Sequence, residues 1–161
     1  KLFYYIYRMR SIKYIFIIIL VTLFIAKQVA KTEQEPFVDP QISSLVEEWK
    51  DLMDANGIRY EAGFKRIDNI IISNSSSHAG MADKLNGIIY LDIDELRRGP
   101  YSARVILYHE LGHYVFNLKH CHEKSIMYYK CLGEDYYKDN YDRLIKEYLN
   151  KCKSKEYEGR F

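Results

Sequence analysis

A pair of histidines four residues apart, His109 and His113, constrains the fold of this chain more than any other feature. Four residues of α-helix turn through about 400° and rise about 6 Å, so both imidazoles project from one face. At this spacing two side chains can ligate one metal ion, with Zn–N bonds of about 2.0–2.1 Å. Glu110 lies about 100° around the same helix, so it can stand beside a metal-bound water and act as its base. The sequence therefore predicts a helix that carries two metal ligands and a catalytic carboxylate.

The third ligand requires this helix to end soon after His113. His120 lies seven positions further on, and on a continuous helix it would be about 10.5 Å away along the axis, too far to share one ion. Asn117 is the residue between them that best tolerates the left-handed conformation at which helices end. His78 has no partner nearby in the sequence, and we interpret it as an ordinary loop histidine. The other candidates for the third ligand are His122, Glu123, Glu134 and Glu147.

The first thirty residues have the pattern of an export signal. Residues 14–26 are apolar and uncharged, and basic residues precede them. This run is shorter than the ~20 residues that span a bilayer and suits the core of a signal peptide. We expect residues 1–30 to be a signal peptide or signal anchor, with a natural start at Met9. The protein would then be exported, as a secreted or periplasmic protein, or anchored to the membrane through residues 11–26.

The charge balance changes once this segment is set aside. The chain has 24 Lys and Arg against 22 Asp and Glu, but five of the basic residues and none of the acidic ones lie in residues 1–30. The remainder carries 19 basic and 22 acidic residues, a net charge of −3. Such a domain is a poor binder of phosphate backbones, so we expect no nucleic-acid partner. A length of 161 residues suits one compact domain, which we expect to be a monomer.

The rest of the chain predicts an α+β domain. Residues 31–41 are polar with two prolines and indicate a linker, which leaves residues 42–161 as the domain. Apolar periodicity and turn residues define the elements within it. These are a helix from residue 42 that ends at Asn56-Gly57, strands at 67–72 and 87–92, and helices at about 101–116 and 140–151. Helices and strands in this order are typical of an α+β fold.

The three cysteines leave two interpretations open. In an exported protein Cys121 and Cys131 could form a disulfide, with Cys152 left as a free thiol. Alternatively, Cys121, His122 and Cys131 could hold a second metal ion, although the usual Cys-x-x-Cys spacing is missing. The sequence does not decide between them.

Two motifs together resemble those of the metzincin zinc proteases. The stretch HELGHYVFNLKH at 109–120 is followed by SIMYY at 125–129. Metzincins combine an HExxH helix, a third histidine after a turn and a downstream Met-turn. The spacing HExxHxxxxxxH is one residue longer than their usual pattern and is similar to that of small bacterial matrixin-like proteins. Upstream, residues 79–82 leading into 87–92 are similar to the edge strand that precedes the active-site helix, so the likeness covers about residues 79–129.

The resemblance implies a fold and a metal. The fold would be a small twisted mixed sheet packed on an active-site helix, with a C-terminal helix after the Met-turn. The cofactor would be Zn²⁺, held by His109, His113 and His120. One coordination position would remain open for water.

The resemblance also implies the reaction and its other residues. Glu110 would act as the general base in hydrolysis of a peptide or protein substrate. Met127 would form an apolar floor beneath the imidazoles, and Tyr129 would place a phenol at the metal to stabilise the oxyanion. If residues 87–92 form a sheet edge, an extended peptide could pair with it. Together these features describe an exported zinc metalloendopeptidase.

Two other functions remain open. Residues 104–114, RVILYHELGHY, also resemble the intracellular regulator-cleaving zinc peptidases of the ImmA/IrrE type, whose third ligand is a downstream glutamate. The characteristic helix bearing that glutamate is not evident here, and an export leader does not suit that family. The third possibility is a non-catalytic, membrane-tethered zinc-binding module. Glu110 argues against it, because a purely structural site needs no base.

Overall fold

The computed structural model describes residues 17–24, 35–74 and 78–157. The chain divides into two units, residues 1–34 and residues 35–161. In the first unit the structure describes one helix, α1, at residues 17–24, whose large apolar side chains are exposed. The remainder of the predicted leader, with the proposed start at Met9, lies outside the described residues. Among the described helices, none has the length and hydropathy required to cross a bilayer.

The second unit contains five described helices and four described strands. The helices are α2 (Ser43–Ala55), α3 (Glu61–Phe64), α4 (Ile93–Leu96), α5 (Pro100–Phe116) and α6 (Glu134–Tyr157). The strands are β1 (Phe37–Val38), β2 (Asn69–Ser73), β3 (Gly80–Asp83) and β4 (Ile88–Asp92). An α+β domain with a small mixed sheet is therefore confirmed. Helix α6 is longer than predicted at both ends, because the apolar stripe that indicates it covers only its middle.

Strand β1 lies within the stretch that was predicted to be a linker. The backbone N–H of Phe37 donates to the Asp68 carbonyl at 3.0 Å, and that of Asp39 donates to the Ile70 carbonyl at 2.9 Å. The folded unit therefore begins at Glu35 rather than at Ile42. The prolines at 36 and 40 fall just outside the paired residues, so they do not interrupt the hydrogen bonds.

The four strands form one sheet in the order β1-β2-β4-β3. Strands β1, β2 and β4 run parallel, and β3 pairs antiparallel with β4. The predicted strand at 87–92 corresponds to β4, but β4 lies inside the sheet and cannot be the free edge. The free edge on this side is β3, whose short sequence GMAD gives no clear alternation of apolar and polar residues.

Helix α5 runs through the middle of the domain. It packs against β3 and β4 on one side and against α6 on another. Most of its residues are buried, as expected of a helix that is apolar on nearly every face. Helices α2 and α6 are also joined to each other in the core, where the Trp49 indole N–H donates a hydrogen bond to the Tyr148 hydroxyl at 3.2 Å. The residues 109–113 are therefore carried by the most enclosed element of the fold.

Candidate metal centre

Two sets of hydrogen bonds define where α5 begins and ends. At its start, the Glu134 carboxylate accepts hydrogen bonds from the backbone N–H groups of Tyr101, at 3.2 Å, and Ser102, at 2.7 Å. At its end, Asn117 is left-handed with φ 54°, and the Leu118 N–H donates to the Gly112 carbonyl at 3.1 Å. The predicted helix end at Asn117 is confirmed.

The turn at Asn117 brings the three predicted histidines together. The Nε2 atoms of His109 and His113 lie 2.9 Å apart. The Nε2 atom of His120 lies 3.0 Å from that of His109 and 2.9 Å from that of His113. Side chains seven and eleven positions apart in the sequence thus meet at one point.

Backbone carbonyls fix the orientation of two of these imidazoles. The Nδ1 atom of His109 lies 2.6 Å from the Ile126 carbonyl, and that of His113 lies 2.7 Å from the Leu118 carbonyl. A carbonyl oxygen only accepts, so both Nδ1 atoms carry the proton and both Nε2 atoms present a lone pair. The short contact between these two Nε2 atoms is therefore not a hydrogen bond. Two converging lone pairs are the arrangement that a metal ion uses.

The protonation of the cluster also suits a metal. The pKa of His109 is lowered to about 4, mainly by burial; the neighbouring His113 and His120 act in the same direction, and the hydrogen bond to Ile126 acts against them. Burial likewise lowers the pKa of His113. Both imidazoles are therefore neutral at pH 7, and only a neutral imidazole can ligate a metal.

The size of the cluster fits zinc. Each Nε2 atom lies about 1.7 Å from the centre of the triangle that the three form, less than the ~2.0–2.1 Å of a Zn–N bond. One ion can therefore reach all three atoms and keep an open side, as catalytic zinc sites do. Within the described part of the chain, these residues form the one cluster of three or more potential ligands at metal-binding distance.

Glu110 is buried beside the cluster on α5, with 6% of its surface exposed. Burial raises the pKa of its carboxyl group to about 7, and a hydrogen bond from the Ala82 backbone acts in the opposite direction. Gly80 also adjoins it, because a Cβ atom added there would stand 2.7 Å from the Glu110 Oε1 atom. The carboxylate is therefore confined against strand β3, with a pKa suited to proton transfer near neutrality.

The backbone of β3 presents hydrogen-bonding groups at its outer edge. The Asp92 N–H donates to the Ala79 carbonyl at 2.9 Å, which makes these two residues a hydrogen-bonded pair. In an antiparallel ladder such pairs alternate, so Met81 and Asp83 are the next residues bonded to β4. The N–H and C=O groups of Gly80 and Ala82 consequently point away from the sheet. The edge at which a peptide could pair is β3, not the predicted residues 87–92.

Met127 and Tyr129 lie in the loop between α5 and α6. Met127 is fully buried, and its sulfur would stand 2.8 Å from a Cβ atom at Gly112, the residue before His113. It therefore packs beneath α5 close to the cluster. Tyr129 is 49% exposed, and its ring contacts Tyr128 and His122 with centroid distances of 4.7 and 6.0 Å. It lines the cavity in front of the histidines.

The alternative third ligands lie elsewhere. Glu134 is occupied at the start of α5, and Glu147 pairs with Arg143 at 2.7 Å. His122 packs against Tyr129, and Glu123 is exposed. His78 was interpreted as an ordinary loop histidine, but the structure brings it to the wall of the cavity.

The structure shows free thiols at all three cysteines, so the hypothetical disulfide between Cys121 and Cys131 is absent. The Cys121 sulfur lies 2.9 Å from the Ser125 hydroxyl and 3.3 Å from the Lys151 amine. Cys131 is exposed, and Cys152 is fully buried. The alternative metal site that includes Cys121 and Cys131 is not among the clusters of the described residues.

A cavity of about 690 Å³ opens in front of the histidines. Its walls come from β3, α5 and the loop that joins α5 to α6. The size is within the range of small-ligand sites, about 300–1,000 Å³. A peptide segment lying along β3 would enter the cavity that the three histidines line.

Several contributors to the site carry no signal in the sequence. The carbonyls of Leu118 and Ile126 orient the imidazoles through backbone atoms, which any residue could supply. The backbone of Ala82 binds Glu110 in the same way. Gly80 gives a weak signal, since a glycine inside a strand often marks the close approach of another group.

Comparison with protein-family models, with curated proteins and with solved structures finds no match to this chain. The class of protein is thus described from its own fold and site. It is an α+β domain in which a three-histidine cluster and a buried carboxylate line an open cavity.

Proposed function

We propose that this protein is a zinc-dependent endopeptidase with a metzincin-like fold. The observation that carries the proposal is the convergence of three Nε2 atoms, 2.9–3.0 Å apart, beside a buried glutamate. A structural zinc site is closed by four protein ligands, whereas a catalytic site has three and an open position. The open cavity and the free strand edge in front of the cluster give a polypeptide access to it.

His109, His113 and His120 would hold the zinc ion. When bound, the ion would acidify a water molecule and stabilise negative charge on the carbonyl oxygen of the substrate. Glu110 takes a proton from the attacking water and passes it to the leaving amine. Burial supports this role, because a carboxylate with a pKa near 7 accepts a proton and releases it again at neutral pH.

Strand β3 binds the substrate as an added antiparallel or parallel strand. The outward N–H and C=O groups of Gly80 and Ala82 supply the main-chain hydrogen bonds. An incoming peptide carbonyl competes with Glu110 for the Ala82 N–H. Losing that hydrogen bond raises the pKa of Glu110 further and makes the carboxylate a stronger base at the moment when substrate is present.

Tyr129 contributes a phenol at the cavity wall, and we assign to it the stabilisation of the oxyanion. The residue is 49% exposed, and to reach the metal its ring would leave its contacts with Tyr128 and His122. A Tyr129→Phe variant should lower kcat more than it changes KM, because the interaction forms only in the transition state. Tyr101→Phe is the matched control, since it removes a phenol outside the cavity.

The central test is the Glu110→Gln variant of the zinc-loaded protein. We expect it to bind zinc like the wild type, by elemental analysis, and to lose at least about 10²-fold in hydrolysis of an unfolded protein substrate. His113→Ala should lose both zinc and activity, and Glu123→Gln, an exposed carboxylate outside the cluster, should lose neither. Equal activity of Glu110→Gln and the wild type would rule out the proposed base.

The same experiment separates the other functions. A wild type that binds zinc stoichiometrically but cleaves no substrate would indicate the non-catalytic zinc-binding module. The regulator-cleaving peptidases use a carboxylate as third ligand, and the cluster among the described residues contains histidines only. We therefore propose the exported endopeptidase. Its export is tested by fractionation of the producing cells and N-terminal sequencing of the mature protein.

A further inference from the structure

The wall of the cavity carries more positive than negative side chains. Lys84, Lys119 and Lys130 line it, and the one carboxylate among its lining residues is the buried Glu110. The lysines come from two segments: Lys84 from the turn after β3, and Lys119 and Lys130 from the loop between α5 and α6. The excess of positive charge at the cavity is therefore assembled by the fold.

Two of these amines contact neighbouring side chains at the cavity. The Lys84 Nζ atom donates to the Asn117 side-chain oxygen at 2.6 Å, at the turn that ends α5. The Lys130 Nζ atom lies 5.2 Å from the centre of the Tyr129 ring. Lys119 directly precedes His120, and its side chain is exposed. All three residues are exposed, so their charges are accessible to a ligand.

None of the three lysines has an acidic partner within salt-bridge distance among the described residues. Other surface cations do have one, such as Arg98 with Glu95 at 2.6 Å and Arg143 with Glu147 at 2.7 Å. The chain beyond residue 30 has a net charge of −3. A cavity lined by lysines that have no acidic partner therefore differs in the sign of its charge from the domain as a whole. Charges left without partners around a cleft attract ligands of opposite sign.

We propose that this cleft selects peptides that carry Asp or Glu side chains next to the bond to be cleaved. The inference rests on the proposed endopeptidase function and names its substrate class. A carboxylate on the substrate would form an ion pair with a lysine at the rim, and a lysine on the substrate would be repelled. Each exposed pair changes affinity by up to about fivefold, so three lysines together should discriminate by about tenfold or more.

The test uses the zinc-loaded full chain and three internally quenched peptides. They are identical except for Glu, Gln or Lys at the positions that flank the cleaved bond, and both of their termini are blocked. We expect kcat/KM to fall in the order Glu, Gln, Lys, with about tenfold between the extremes. The difference should shrink when the salt concentration rises from 50 to 500 mM, because salt screens exposed charges. Equal rates for the three peptides would overturn the inference.

Charge-reversal variants connect the preference to the cleft. Lys119→Glu and Lys130→Glu should each narrow the preference for the Glu peptide, and together they should reverse it. Lys65→Glu is the matched control, because it changes the same charge on an exposed residue at the end of α3, outside the cavity. A preference that survives the double variant would show that these lysines do not select the substrate.

Binding to the inactive Glu110→Gln variant separates this inference from the proposed reaction. Fluorescence anisotropy of labelled Glu and Lys peptides measures the preference without turnover. Tighter binding of the Glu peptide by a protein whose wild type cleaves nothing would support the charged cleft and contradict the endopeptidase. Cleavage of all three peptides without preference would support the endopeptidase and contradict the charged cleft.

Discussion

The Nε2 atoms of His113 and His120 lie 2.9 Å apart, although a continuous helix would separate these residues by about 10.5 Å along its axis. The left-handed Asn117 accounts for the difference, since it ends α5 and reverses the chain between them. The same turn orients His113, because the Leu118 carbonyl that follows it accepts from the imidazole at 2.7 Å. One backbone conformation therefore supplies the third histidine and positions the second.

Substitution of Asn117 should affect metal binding through the backbone. In Asn117→Ala the left-handed conformation costs about 1 kcal/mol more than with asparagine, because the Cβ atom meets the carbonyl oxygen without a compensating side chain. We expect lower stability of the metal-free protein and several-fold weaker zinc binding, measured by urea denaturation and by competition with a chelator.

Asn117→Gly is the control for this prediction. It removes the same hydrogen bond to Lys84 but adopts positive φ without strain. We expect its zinc affinity to remain close to that of the wild type. If the alanine and glycine variants bind zinc equally, the conformation of residue 117 is not what assembles the cluster.

The sequence predicts the elements that depend on local physical chemistry. The helix at 101–116 follows from its length, its apolar residues and the proline in its first turn, and its end follows from the conformational tolerance of asparagine. The helix over 43–55 and the strands around 69–73 and 88–92 follow in the same way from periodicity and from Asn56-Gly57. In each case residues close in sequence contain the whole signal.

Tertiary contacts decide the elements that the sequence does not predict. Strand β1 has two residues and exists because β2 offers it an edge. Strand β3 exists because β4 pairs with it, and its outward groups depend on that register. The cap of α5 by Glu134 joins positions 32 and 33 residues apart. No periodicity or motif contains these relationships.

Gly80→Ala should reduce hydrolysis without loss of the metal. The added Cβ atom would lie 2.7 Å from the Glu110 Oε1 atom, so either the carboxylate or the strand has to move. We expect kcat/KM to fall by at least tenfold while zinc content stays unchanged, because the added Cβ atom displaces Glu110, which is not one of the three proposed metal ligands. Leu85→Ala, at an exposed position in the turn after the same strand and outside the cavity, should leave the rate within about threefold. Full activity of Gly80→Ala would mean that the site has more room around Glu110 than the structure gives it.

Zinc should stabilise the folded protein, because the three histidines meet only when the chain is folded. At a free zinc concentration about 1,000 times the Kd, the free energy of unfolding should increase by about 4 kcal/mol. The increase is measured as a rise in Tm that EDTA reverses. It should weaken as the pH falls, since protons compete for the imidazoles.

Magnesium and calcium provide the metal controls, because both prefer oxygen ligands. His120→Ala should lose most of the zinc effect, whereas His122→Ala should keep it. An equal response of these two variants would contradict the assignment of His120 as the third ligand.

Glu134 should stabilise the fold in a pH-dependent manner. Desolvation acts to raise its pKa, but the hydrogen bonds from Ser102 and Tyr101 outweigh this effect and lower the pKa of the folded state. Its contribution is therefore complete above the unfolded-state pKa of 4.5 and is lost as the pH falls through the lower folded-state value. At pH 6–7 Glu134→Gln should be less stable than the wild type by about 1 kcal/mol, as expected when a charged helix cap is lost.

The measurement is urea denaturation of the metal-free wild type and Glu134→Gln at pH 7, 5, 4 and 3. All other ionisable groups are the same in both proteins, so their effect cancels in the difference between the two curves. That difference should narrow as the pH falls, because the wild-type carboxylate becomes protonated and then no longer differs in charge from the amide. Glu147→Gln, which removes the exposed pair with Arg143, should show a smaller difference. If the difference in free energy of unfolding between the wild type and Glu134→Gln stays constant down to pH 3, the charge of Glu134 is not what stabilises the start of α5.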